Sequence, residues 1–104
     1  MKRLWIALAA LLACGSANAQ SDYPNKPVRV VVTSPVGSTP DVLARAVGAK
    51  LSTLLKQTVV VDVRLGAGGN VGYENVARSP ADGYSLTLAG NSLLINASLY
   101  KNLS

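Results

Sequence analysis

Two runs of β-branched residues dominate the hydrophobic pattern, Val28-Arg29-Val30-Val31-Val32 and Val59-Val60-Val61-Asp62-Val63. Near-continuous apolar character over so few positions fits a strand covered on both faces. The pattern predicts strands over Pro27 to Thr33, Thr58 to Val63 and Tyr84 to Ala89. Between the first two, Leu43, Val47, Leu51 and Leu54/Leu55 recur at helical spacing to about Lys56, predicting a helix with those residues in the core. Thr39 as N-cap, Pro40 at the first helical position and Asp41 in the first turn supply its start. Asn70 can cap a second helix carrying Val71, Val76 and Ala77, which Ser79-Pro80-Ala81-Asp82-Gly83 ends as a turn. Leu93 to Ser104 reads as a short helix or a loop.

The order βαβαβ predicts an α/β fold with a parallel sheet and right-handed crossovers. Ligands of such sheets bind outside the carboxyl ends of the strands. Three junctions lie at that edge: Ser34 to Asp41, Arg64 to Gly72, and Gly90-Asn91-Ser92. The second, Arg64-Leu65-Gly66-Ala67-Gly68-Gly69-Asn70-Val71-Gly72, is the richest in glycine. Free N–H groups and the helix dipole converge where a glycine loop opens a helix, which suits an anion. The plainer reading is a turn whose glycines only let helix and sheet pack closely. A dinucleotide fingerprint counted from Gly66 fails at Val71, and no Gly-Lys-Ser/Thr follows for a P-loop.

The first 19 residues read as an export leader. Lys2 and Arg3 precede an apolar stretch from Leu4 to Ala13, and Ala17-Asn18-Ala19 fits the small-x-small cleavage pattern, leaving Gln20 first. Leu11-Leu12-Ala13-Cys14 offers a rival, a lipobox that would anchor the chain through Cys14. Cleavage after Ala19 removes the one cysteine, so the mature chain forms no disulfide. It also takes the net charge from +5 to +3. The remaining basic residues are scattered without a patch, which argues against nucleic acid, while a mildly basic surface suits a small anion. Asn96-Ala97-Ser98 and Asn102-Leu103-Ser104 match the glycosylation sequon by chance. No histidine is present, and nothing suggests a catalytic nucleophile, a metal cluster or a cofactor.

Taken together, several segments resemble the N-terminal part of the Bug, or tripartite tricarboxylate transporter, periplasmic solute-binding proteins. They are Tyr23-Pro24-Asn25-Lys26-Pro27-Val28-Arg29, the Pro35 to Asp41 loop with Val42-Leu43-Ala44-Arg45, Val59-Val60-Val61, the glycine loop, Asp82-Gly83-Tyr84 and Asn96-Ala97-Ser98-Leu99-Tyr100. The resemblance implies a type II-like periplasmic-binding fold of two lobes around a cleft for small carboxylates, serving membrane transporter subunits, with no catalysis. It places ligand contacts at Gly37, Ser38, Thr39 and Asp41, at Gly68, Gly69 and Asn70, and at Asn91 and Ser92. Asp41 sits awkwardly beside an anion and reads better as a complement to the helix dipole. Pro40 stands where the family usually has Thr, removing a backbone donor and a hydroxyl.

Family members are about three times longer, so residues 20–104 read as an incomplete first lobe, a truncated copy whose half-cleft cannot close. Two other readings stay open from the residues alone. One is a fragment of an α/β enzyme that grips phosphate or a nucleotide with the glycine loop. The other is a lipid-anchored envelope module acting by protein contact.

Overall fold

A computed structural model of the chain describes residues 22–101. The export leader, its cleavage site, Cys14 and the sequon at Asn102 lie outside the described residues. The described chain runs β1 (Val28–Val32), α1 (Thr39–Leu55), β2 (Val59–Val63), a 3-10 turn (Ala67–Gly69), α2 (Asn70–Ala77), β3 (Ser85–Thr87) and α3 (Asn91–Leu99). The three strands form one parallel sheet in the order β2-β1-β3. The mixed α/β architecture predicted from the sequence is therefore present.

The central strand carries the core: Val28, Val31 and Val32 are essentially inaccessible. Register places Val31 beside Asp62 and Val28 beside Val59, so alternate residues face opposite sides of the sheet. α1 covers the side of Val59 and Val61, where Gly48 lets it approach closely: a Cβ there would stand 3.3 Å from Val59 Cγ1. α2 covers the other side, above Val31 and Thr33.

Three local expectations change. The N-cap of α1 is Ser38, with Thr39 already helical. Ser38 does not cap with its side chain; its hydroxyl donates to the Pro35 carbonyl at 2.6 Å. Asn70 is likewise the first residue of α2, and Gly69, in the left-handed region, is the N-cap. The stripe on α1 is also displaced from its expected role. Asp41, Ala44 and Gly48 are buried, whereas Leu43, Val47 and Leu54 stay 50%, 48% and 76% exposed. Small residues pack against the sheet because the helix lies close to it, and the larger apolar residues flank the contact. Val71 is likewise about half exposed, so it too lies outside the core.

An aromatic clamp ties the first described residues to the turn before β3. Tyr23 donates to the Gly83 carbonyl at 2.6 Å, the Asn25 N–H donates to the Tyr84 hydroxyl at 2.8 Å, and Lys26 lies over the Tyr84 ring. It sits at the amino ends of the strands, leaving the carboxyl edge open.

Candidate functional site

At the carboxyl edge, the chain leaving β1 enters α1 on one face of the sheet. The chain leaving β3 enters α3, which packs beside α2 on the other face through Asn96 and Ser92. Adjacent strands whose following helices part to opposite faces open a crevice between them, the usual ligand position in open α/β sheets. An open cleft of about 230 Å³ occupies this place. Thr33, Ser34, Thr39 and Ser92 give it hydroxyls, Leu43, Leu88 and Ala89 give it apolar wall, and Pro40, Gly90 and Tyr73 complete it. None of these residues is charged, so an anion here is met by hydroxyls and by the amino ends of two helices.

Of the residues singled out from sequence, Thr39 and Ser92 line this cleft. Gly37 borders a neighbouring groove with Thr39, Val42, Leu43 and Ala46. Its N–H is already engaged, donating to Asp41 Oδ2 at 2.8 Å, and the Ser38 N–H donates to the Pro35 carbonyl. Asp41 is 2% exposed and also accepts from Arg45 Nε at 3.0 Å. The Arg45 hydrogen bond and then the Gly37 N–H hold its carboxyl below the usual range, against the opposing effect of burial. Asp41 thus fastens the β1–α1 loop from within. Asn91 opens α3 and is exposed.

The glycine loop stands behind the cleft. The Gly69 N–H donates to the Gly66 carbonyl at 2.9 Å. Gly69 is buried, and a Cβ on it would lie 3.2 Å from Thr33 and from the Tyr73 ring. Gly72 is tighter still, with a notional Cβ 2.6 Å from Thr33 Cγ2. These two glycines let α2 press onto β1. The Gly68 carbonyl accepts from Asn96 Nδ2, which also donates to Asn70 Oδ1, both at 2.8 Å. Asn96 is 6% exposed, so its sequon is closed in the fold.

The sequence pattern did not mark Thr33, Asn96 or, above all, Tyr73 as site residues. The Tyr73 ring is buried, but its hydroxyl reaches the cleft, 2.9 Å from Ser92 Oγ and 3.4 Å from Thr33 Oγ1. Burial pushes the phenol upward, yet hydrogen bonding to Ser92, Thr33 and the Gly90 N–H brings it below the ordinary tyrosine value. No signal within α2 marks these partners, which come from β1 and α3. Among the described residues no group of three His, Cys, Asp or Glu side chains is placed to hold a metal ion.

Comparison with known proteins adds an independent line. The model of the family described as "Tripartite tricarboxylate transporter family receptor" matches residues 43–104. A UPF0065 protein of Bordetella bronchiseptica is 42% identical over 100 residues, covering 95% of this chain and 30% of the relative. The chain thus spans about 30% of the length of this curated relative. Solved structures that share the fold include a periplasmic transporter and the periplasmic binding protein BugD. A Rhodopseudomonas palustris protein solved with adipate is 40% identical, with a TM-score of 0.63 over 64% of this chain and 22% of that one. MatC of the same species, solved with bound malate, is 34% identical, with a TM-score of 0.61 over 62% of this chain and 22% of that one.

Proposed function

We propose that this chain, which belongs to the tripartite tricarboxylate transporter receptor family, supplies one wall of a periplasmic cleft for a small dicarboxylate. The observation that carries this reading is the uncharged, hydroxyl-lined crevice where α1 and α3 part to opposite faces of the sheet. The two relatives solved with adipate and malate support the ligand class. A carboxylate can be held without a lysine or arginine when hydroxyls and helix amino ends converge on it. Thr39 and Ser92 are two such groups, each at the amino end of a helix, and the glycine loop acts by placing α2 and Tyr73. The family is one of solute receptors rather than enzymes, and the wall described here binds without catalysis.

The same reading places the chain outside the cytoplasm, cut after Ala19, delivering its ligand to membrane transporter subunits. N-terminal sequencing of exported material should begin at Gln20; a lipidated Cys14 start contradicts a soluble product. For the site, calorimetric titration with adipate should show Thr39→Val and Ser92→Ala each weakening binding. Equal affinity in both variants contradicts the assignment of this crevice.

A further inference from the structure

We propose that Tyr73 is a positioning residue whose hydroxyl turns the Ser92 hydroxyl outward, so that Ser92 meets a carboxylate in the cleft as a donor. This deepens the carboxylate reading above and rests on it. A phenol oxygen has one proton to give and can accept through its lone pairs. Two hydroxyls stand within hydrogen-bond reach of the Tyr73 oxygen, Thr33 Oγ1 and Ser92 Oγ. Thr33 Oγ1 stands 3.4 Å away in donor geometry. With the Thr33 bond accepted, Ser92 Oγ, 2.9 Å away, is the acceptor that remains for the Tyr73 proton. Ser92, having accepted, keeps its own proton for a further partner, and it lines the cleft.

In the reverse order Ser92 gives its proton to Tyr73 and turns lone pairs toward the cleft, where they repel a carboxylate. The Tyr73 ring is locked in place: it is 8% exposed and lies against Gly69, where a Cβ would stand 3.2 Å from Cε2. The glycine loop therefore reaches the ligand site through a tyrosine ring, while the Gly69 N–H stays bonded to Gly66.

The test uses the full chain with adipate as probe, in Tyr73→Phe, Ser92→Ala and the double variant. Each single change should weaken binding about threefold to tenfold, the loss of one hydrogen bond. The double variant should be no weaker than Ser92→Ala, because Tyr73 acts through Ser92. Additive losses, or Tyr73→Phe binding as tightly as the parent, overturn the proposal. A second measurement needs no ligand. By proton NMR, the Tyr73 hydroxyl proton should be exchange-protected in the parent and in Thr33→Val, and lost in Ser92→Ala. Protection that survives Ser92→Ala but not Thr33→Val, or none in the parent, shows that Tyr73 does not donate to Ser92. A parent chain that takes no adipate removes the carboxylate reading itself, and the hydroxyl order is then decided by this second measurement.

Discussion

Asn96 holds Asn70 in place: its Nδ2 donates to Asn70 Oδ1 at 2.8 Å, and the same nitrogen donates to the Gly68 carbonyl at 2.8 Å. Both asparagines are buried, so α3 is joined to the glycine loop by an amide pair shielded from water. Asn96→Ala leaves the buried Asn70 Oδ1 without its donor and frees the Gly68 carbonyl, and should destabilise the chain by about 1–3 kcal/mol. Asn96→Asp, which sets a carboxylate against those acceptors, should cost more. Urea unfolding of the two variants beside the parent checks both the size and the order.

Gly72 should tolerate no side chain. A Cβ would lie 2.6 Å from Thr33 Cγ2 and 3.2 Å from the Arg64 carbonyl. Gly72→Ala should therefore cost about 1–3 kcal/mol by overpacking, and adding Thr33→Ser, which deletes the clashing methyl, should recover part of it. Gly90 has nothing within 4 Å of a notional Cβ; as an N-cap, Gly90→Ala should cost about 1 kcal/mol or less. Thermal midpoints of the three variants test the contrast.

Acid should loosen the β1–α1 loop. Arg45 and the Gly37 N–H hold the Asp41 carboxyl below its ordinary range, and Asp62 and Asp82 are lowered too, chiefly by Arg64 and by the Tyr84 N–H. A carboxyl lowered on folding adds stability that is complete above its unfolded value, about 3.9. That stability drains away as pH falls through the lower folded value. Stability should be flat from pH 7 to 5 and fall below about 4. Asp41→Asn should be the less stable protein at pH 6, with its deficit shrinking below pH 4. Urea midpoints across that range give the comparison.

Gly69→Val tests the link between glycine loop and cleft. With φ near +99° and a Cβ meeting Thr33 and the Tyr73 ring at 3.2 Å, valine is both strained in its backbone and crowded. It should displace Tyr73 and weaken adipate binding by more than Asn70→Ala does. Calorimetry on the two variants decides the order; a Gly69→Val protein with parental affinity contradicts the link.

The strands were plain in the sequence because Val28–Val32 and Val59–Val63 combine β-branched residues with an apolar run too short for a helix. The crevice followed, since topology alone puts it at the strands' carboxyl ends. Periodicity misled on α1. A stripe of large residues at 43, 47 and 54 reads as the core face, but close approach to Val59 selects Ala44 and Gly48 there. Asn70 was read as a cap because Asn caps helices in isolation; its partner, Asn96, is 26 residues away and could not be read locally. Tyr73 escaped for the same reason, its hydroxyl partners being 40 and 19 residues distant.

Carboxylate binding in the crevice between β1 and β3 can be read directly on the chain alone. One open wall leaves the ligand wet, where each hydrogen bond nets only about 1 kcal/mol, so affinity of the chain alone should be near millimolar, about 4 kcal/mol. Titrating adipate into the nitrogen-labelled chain and following amide shifts by NMR reads this position by position. Saturable shifts are expected at Thr33, Ser34 and Thr39 and at Gly90 to Ser92, with Gly83 and the Tyr84 clamp unmoved. Saturable shifts confined to the clamp, or none at the crevice at tens of millimolar adipate, would contradict binding in the crevice.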